Sequence, residues 1–354
     1  MAKVLMKGNE AIGEAAIRGG CRYFFGYPIT PQTELPEYMS VRLPQIGGVF
    51  LQAESEIAAI NMLYGASGSG VRAMTSSSSP GISLKQEGIS YIAAAKLPCV
   101  IVNIVRGGPG LGGIQPAQSD YFQVTRGGGN GDYRLIVYAP ANLQETVDIV
   151  MNAFDTSDYY RVPVLIVGDG MIGQMMEPVE FIENENKREV PQKDWATTGT
   201  GGKREPNIIN SLYLDPKQLE DHNNELNEIY KVIERDEVRY EAIGLEDCDV
   251  VCVAYGTTSR IVKSAIEECE SEGLKVGFLR PITLWPFPYK AFDLINPNAK
   301  GILCAEMSLG QMIDDVKIGA EGRWKTHFYG RSGGMVPDPK DIKNEIVKIF
   351  RGEK

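Results

Sequence analysis

The residues best suited to do chemistry stand at four points in the first third of the chain, each where an apolar run gives way to a turn. In Tyr27-Pro28-Ile29-Thr30-Pro31-Gln32-Thr33-Glu34, two prolines fix the backbone around Thr30. Its hydroxyl could meet a ligand, or the segment could be an ordinary turn opening a helix. Gln52-Ala53-Glu54-Ser55-Glu56-Ile57-Ala58-Ala59-Ile60-Asn61-Met62 puts two carboxylates at the head of a markedly apolar helix. Glutamates there commonly answer the helix dipole. Glu56, next to Ile57 and with few other charges nearby, could instead be buried, where a carboxylate needs a proton or a donor. The residues alone leave both readings open. Thr75-Ser76-Ser77-Ser78-Ser79-Pro80-Gly81-Ile82-Ser83 offers hydroxyls and amides to an anionic ligand at a helix start. Arg106-Gly107-Gly108-Pro109-Gly110-Leu111-Gly112-Gly113 is either a plain flexible turn or a loop presenting a lone cation to a carboxylate.

Other chemistries are poorly supported. The glycine-rich turn lacks the Gly-Lys-Ser/Thr ending of a phosphate loop. Cysteines 21, 99, 248, 252, 269 and 304 form no Cys-x-x-Cys, so they read as reduced core thiols, with neither a zinc site nor an iron-sulfur cluster on this chain. With only two histidines, His222 and His327, mechanisms built on several imidazoles are poorly supported. Gly168-Asp169-Gly170 would suggest a magnesium-diphosphate site only with an asparagine some 25 to 30 residues on. Asn184 and Asn186 come too soon and Asn207 too late, so no metal site is expected. Tyr255-Gly256-Thr257-Thr258-Ser259 could hold an anion but reads as a hydroxyl-capped strand-helix turn. With 36 basic against 46 acidic residues and a formal charge of −10, a broad nucleic-acid or anionic-membrane surface is not expected. Apolar runs such as Cys99 to Val102 are of strand length, short of a membrane span. Lys7 interrupts any apolar core of a leader, so a cytoplasmic location is expected.

The elements that must position these residues follow from the pattern. Helices are predicted over Gly8 to Arg18, Ser55 to Gly68, Leu84 to Ala95 and Asn142 to Asp155. Strands are predicted over Arg22 to Tyr27, Val49 to Leu51, Arg72 to Thr75, Cys99 to Val105, Leu135 to Tyr138 and Val162 to Val167. Such alternation makes a parallel sheet with helices on both faces, and ligands then meet loops at the carboxyl ends of its strands. The stretch from 179 to 246 carries most of the negative charge, with an irregular loop over Trp195 to Pro206. A long helix from Pro216 to Tyr240 bears Leu226, Tyr230, Ile233 and Tyr240 on one stripe. From Cys248 alternation resumes: strands 249–255, 275–279 and 300–305, helices 258–272, 288–295 and 309–321. The expected fold is α/β, with domains 1–178 and 247–354 joined by the acidic segment 179–246.

Together the four segments, with Gln115 to Asp120 and Met6-Lys7-Gly8-Asn9-Glu10-Ala11, resemble the α subunit of the thiamine diphosphate-dependent 2-oxoacid:ferredoxin oxidoreductases, nearest the 3-methyl-2-oxobutanoate (2-ketoisovalerate) branch. The resemblance implies a pyrimidine-binding-type first domain and a smaller transketolase C-terminal-like second domain. It places the diphosphate and its Mg2+ on a β subunit, and iron-sulfur clusters on γ and ferredoxin-like partners. Ferredoxin and coenzyme A are co-substrates, and a homodimer of this chain is allowed. Counted back from Gly65-Ala66, the family's catalytic glutamate, which hydrogen-bonds the pyrimidine N1', falls on Glu56, with Glu54 its competitor. Arg106 matches the arginine that meets the substrate carboxylate, and Thr30 a threonine near substrate and cofactor. Pro28 is implied beside the cofactor, and Ile29, Ser77 and Ser78 as substrate-pocket wall. Gln32 departs from the family's commoner serine, which leaves pocket size open. The rival readings are the same machinery on pyruvate or 2-oxoglutarate, a non-catalytic scaffold subunit, and a transketolase-type carboligase.

Overall fold

The computed structural model describes residues 3–182 and 188–354, so Asn184 and Asn186 lie outside the described residues. The first part of the chain runs β1 (Val4–Lys7), α1 (Gly8–Arg18), β2 (Tyr23–Gly26), α2 (Glu34–Gln45), β3 (Val49–Gln52), α3 (Glu56–Gly68), β4 (Ala73–Ser77), α4 (Ser79–Ala94) and β5 (Val100–Val105). It continues with α5 (Tyr121–Thr125), β6 (Ile136–Tyr138), α6 (Leu143–Tyr160), β7 (Val164–Asp169), α7 (Gly170–Gln174) and β8 (Met176–Val179). Side-chain caps fix several starts: Ser55 accepts from the Ala58 amide at 3.1 Å and Asn142 from the Glu145 amide at 2.8 Å. Beyond the acidic stretch come α8 (Pro216–Asp236), β9 (Tyr240–Ile243), β10 (Val250–Val253), α9 (Gly256–Ser271), β11 (Val276–Pro281) and β12 (Thr283–Trp285). A 3-10 helix (Tyr289–Leu294), β13 (Ile302–Glu306), α10 (Met312–Ala320), β14 (Thr326–Gly330) and α11 (Pro339–Arg351) complete the chain.

The larger sheet is ordered β12-β6-β7-β5-β4-β2-β3, parallel throughout except for β12. Its central strand β5 reads Val-Ile-Val-Asn-Ile-Val and is wholly buried, as a strand covered on both faces must be. Alternation divides its side chains: Val100, Val102 and Ile104 share a core with Ile12 of α1, Leu35 of α2 and Val147 of α6. Ile101 and Val105 join Ile60 of α3 and Ile82 and Ile89 of α4. The second sheet, β14-β13-β10-β11-β9, is parallel apart from β9. One face, with Val251, Val253 and Leu279, is continuous with the α3/α4 core, and the other packs on α9 and α11 through Val262, Ala265, Ile342 and Ile346.

Several expectations shift. The connecting segment contributes β9 to the second sheet, and β12 returns from the second half of the chain to the edge of the first. Neither announces itself in sequence, because each is an edge strand of three or four residues. The same holds for the β1/β8 pair. Tyr240 lies in β9 rather than on the α8 stripe, and the 288–295 helix is a 3-10 turn. α4 starts five residues before the expected Leu84, since Pro80 sits in its first turn, where a missing amide hydrogen costs nothing. The α8 stripe packs on its own chain: Leu226, Tyr230 and Ile233 are buried, Tyr230 edge-on to Trp285 at 5.8 Å. All six cysteines are buried free thiols. Among the described residues no helix is long and apolar enough to cross a membrane.

Gln118 locks the two sheets together. Its amide donates to Tyr255 O at 2.9 Å and accepts from Thr258 Oγ1 at 2.7 Å and the Met307 amide at 3.0 Å, all buried. Gln118→Ala strips the Thr258 hydroxyl and the Met307 amide of their partner, while Tyr255 O keeps the Ser259 amide, so a loss of about 2–4 kcal/mol is expected. A lowered urea midpoint with unchanged far-ultraviolet circular dichroism checks this, and an unmoved midpoint would contradict it.

Candidate active site

The four segments singled out in the sequence leave four neighbouring strands, β5, β4, β2 and β3, on the carboxyl edge of the larger sheet. That edge is where an open parallel sheet presents its loops to a ligand. Thr30 and Arg106 are brought together: Arg106 Nη1 donates to Thr30 O at 2.9 Å, while Nη2 donates to Leu111 O at 3.0 Å. Arg106 is buried, and its Nε has no partner among the described residues. Thr30 and Pro28 are exposed on this loop, with Ile29 half-buried between them.

Burial separates the two glutamates. Glu54 is exposed, whereas Glu56, the first residue of α3, is only 6% exposed. Its carboxylate accepts no hydrogen bond from the described residues. Gly81 makes room for it: a Cβ there would strike Ser77 Oγ and come within 2.7 Å of Glu56 Oε1.

The serine run divides by pleat. Ser76 donates to Gln32 Oε1 at 2.5 Å, and Gln32 Nε2 reaches Tyr27 O at 3.3 Å, so this buried glutamine ties β4 to the Tyr27 loop. Ser79 Oγ donates to Asp120 Oδ2 at 2.7 Å, and Asn103 bridges Asp120 and the Ser79 amide at 2.9 and 3.1 Å. Burial raises the Asp120 carboxyl above its usual range against these two donors. Ser77 and Ser78 remain: both hydroxyls are buried and unpaired. These two are the serines expected to wall a pocket.

Lys85, Gln32 as a brace, Asn103 and Asp120 escaped the reading from sequence. Lys85 is wholly buried on α4, donating to Thr75 Oγ1 at 2.5 Å and Ser76 O at 3.1 Å. Desolvation pulls its amine down to about 7, against the attraction of Glu56. A signal existed: Ile82, Lys85, Ile89 and Ile92 are spaced as one buried helical stripe. Two other motifs are structural. Asp169 caps α7 through the Met171 and Ile172 amides at 2.8 and 3.1 Å and accepts from Thr257. Thr257 and Thr258 thereby spend their hydroxyls on Asp169 and Gln118, between the two sheets, rather than on an anion.

Comparison with known proteins follows the same division. Residues 14–241 match the family model described as pyruvate flavodoxin/ferredoxin oxidoreductase, thiamine diphosphate-binding. Residues 248–342 match that of pyruvate:ferredoxin oxidoreductase core domain II. The chain is 46% identical to the ketoisovalerate oxidoreductase subunit VorB of Methanothermobacter marburgensis, over 99% of this chain and 98% of that one. It is 35% identical to the 2-oxoglutarate synthase subunit KorA of Methanothermobacter thermautotrophicus, over 98% of both. In structure it is similar to a 2-oxoglutarate:ferredoxin oxidoreductase from Magnetococcus marinus with 2-oxoglutarate, coenzyme A and succinyl-CoA bound. The TM-score is 0.87 at 27% identity, covering 99% of this chain and 65% of that one.

The depressed Lys85 amine sets a pH signature in stability. Below about pH 7 the amine is charged in both folded and unfolded chains, and its full desolvation penalty stands. As pH rises from 7 toward the ordinary 10.5, the folded chain holds fewer protons than the unfolded one and the penalty is relieved. The wild-type protein should therefore gain about 1.4 kcal/mol per pH unit across this window relative to Lys85→Met. Urea denaturation of both at pH 6, 7.5 and 9 measures it; parallel curves would refute the shift.

Proposed function

The chain belongs to the pyruvate flavodoxin/ferredoxin oxidoreductase family, and from that premise we propose that it is the α subunit of a 2-oxoacid:ferredoxin oxidoreductase acting on 3-methyl-2-oxobutanoate. The reaction would form carbon dioxide, acyl-coenzyme A and reduced ferredoxin. The observation that carries this reading is Glu56, a buried carboxylate with no donor among the described residues, beside the unpaired hydroxyl of Ser77. A buried carboxylate is stable only when a donor meets it. The N1' nitrogen of an aminopyrimidine meets this need by sharing a proton with the carboxyl, so the residues present fit thiamine diphosphate. When bound, the cofactor supplies the carbon nucleophile and the electron sink for decarboxylating a 2-oxoacid.

The protein's own part is to orient and to hold protons. Glu56 would hold the proton shared with the pyrimidine nitrogen, a role suited to a buried carboxyl. Arg106, its two terminal nitrogens already held by Thr30 O and Leu111 O, would offer its unpaired Nε to the substrate carboxylate. Thr30 stands beside it, with Pro28 and Ile29 on the same loop. Ser77 and Ser78 would line the pocket with small side chains that leave room for a branched substrate. Gln32, the departure from the family pattern, is spent on bracing Ser76, which supports reading it as wall structure rather than as a substrate contact.

The rest of the machinery is assigned to partners: the diphosphate and Mg2+ to a β subunit, iron-sulfur clusters to γ and ferredoxin-like subunits. Supporting this, α3 is apolar all round yet leaves Ile57 50% and Met62 37% exposed, and a helix of that kind is normally covered on every side. The covering surface would be the β subunit, meeting α3 beside Glu56. For the substrate, 46% identity to a ketoisovalerate subunit against 35% to a 2-oxoglutarate one ranks the branched acid first.

Anaerobic, coenzyme A-dependent reduction of a viologen dye by the natively purified complex tests the assignment. The branched 2-oxoacid should exceed pyruvate and 2-oxoglutarate in kcat/KM by about tenfold or more. A different preferred acid overturns the substrate alone, and a cofactor-loaded complex that reduces no dye overturns the catalytic reading. In the same complex Glu56→Gln should preserve assembly and thermal stability while lowering turnover by about a hundredfold or more. Near-normal turnover would remove Glu56 from the proposed role.

A further inference from the structure

A lysine buried to 0% exposure on the apolar stripe of a helix is held where an aliphatic residue would cost nothing, so its charge calls for a use. Lys85 Nζ is anchored by two of its three possible hydrogen bonds, to Thr75 Oγ1 and Ser76 O. Thr75 in turn donates to Phe25 O at 2.6 Å, which turns its oxygen lone pairs toward the ammonium. These bonds pin the amine to β4 on the strand face that carries Ser77, the face packed against α3 and α4. Glu56 Oε1 and Ser77 Oγ both lie against Gly81, one turn before Lys85 on α4, so Glu56 is the charged group that acts on the amine, and the groups of β4 that the amine touches are a hydroxyl and a carbonyl. The two charges attract through space without forming a direct pair, and this leaves the Glu56 carboxylate unclaimed by any donor among the described residues.

Resting on the reading of Glu56 above, we propose that Lys85 is a positioning residue: a fixed counter-ion behind Glu56 that biases the proton shared between the carboxyl and the pyrimidine nitrogen toward the nitrogen. The sign follows from placement. A cation on the protein side of a carboxyl favours the carboxylate, and so the proton crosses to the partner on the far side. Burial holds the Lys85 amine at about 7, so near neutral pH it is only partly charged; ligand binding displaces water from the Glu56 carboxylate, strengthens its attraction for the amine and pulls a proton onto Lys85.

Calorimetric titration of the cofactor-free complex with thiamine diphosphate and Mg2+, in buffers of different ionisation enthalpy, counts the protons taken up. At pH 7.5 the wild-type complex should take up about 0.3 proton or more beyond Lys85→Met, and the difference should vanish at pH 5.5, where Lys85 is already charged. Protons taken by the diphosphate are common to both proteins and cancel. A purely structural lysine would leave the counts equal at both pH values, and that result overturns the proposal. Where Lys85→Met fails to assemble, Lys85→Gln, which keeps a donor without the charge, must lose the same increment, and equal counts there are equally fatal. A wild-type complex that binds no thiamine diphosphate would instead bring down the reading of the site itself.

Discussion

A carboxylate without a donor can be kept in a protein interior only if the surrounding packing leaves it nowhere else to go. Glu56 is in that position at the first turn of α3. The helix amides favour a negative charge there, Gly81 removes the Cβ that would push the carboxylate aside, and Lys85 supplies attraction from behind without occupying its lone pairs. Each is an arrangement of backbone or of a buried side chain, so the carboxylate's geometry is set by the close packing of α3 on α4 and changes only if that packing does.

The same constraint explains the second sheet's attachment. The loop from Arg106 to Asp120 leaves β5 at the centre of the site and is followed by α5, which packs against the second half of the chain. Gln118 and the Tyr121–Asp315 hydrogen bond at 2.6 Å fix the far end of this loop, the Arg106 side chain fixes its near end, and the Asn103–Asp120 bond ties the far end back to β5. Held at both ends, the glycine-rich turn between them can sit over the carboxyl edge of the sheet. Gly112, in the left-handed region at φ +56°, is where that turn could not carry a side chain.

The legible parts of the molecule were those written in strong local signals. Strand exits ending in proline, serine or glycine marked all four site segments, and buried runs such as β5 marked the sheet centre. What was not legible depended on partners distant in sequence. β1, β8, β9 and β12 are short edge strands whose pairing is tertiary, and Val4, Leu5 and Ile243, about half exposed, give no inward-facing alternation. The roles within the serine run were hidden because four identical side chains carry no pattern. Only the pleat, with Ser76 turned to Gln32 and Ser77 to Glu56, tells them apart. Lys85 was missed because a charged residue in a helix is read as surface by default, although its spacing from Ile82, Ile89 and Ile92 argued otherwise.

Two deficits meet at one edge of this chain. Among the described residues the Ser77 and Ser78 hydroxyls and Arg106 Nε have no partner and no donor meets the Glu56 carboxylate, and along the helix that begins at Glu56, Ile57 and Met62 lack apolar cover. Either alone would be ordinary, since native interiors carry a few unpaired groups and native surfaces a few exposed apolar residues. Their coincidence on the carboxyl edge of a parallel sheet is harder to dismiss, because polar and apolar deficits have different remedies and a single ligand or a single loop shift would relieve only one. A partner surface bearing the rest of a cofactor would relieve both together: its apolar face would cover α3, and the cofactor would share a proton with Glu56. On this reading the chain supplies one half of a site whose other half a partner would bring.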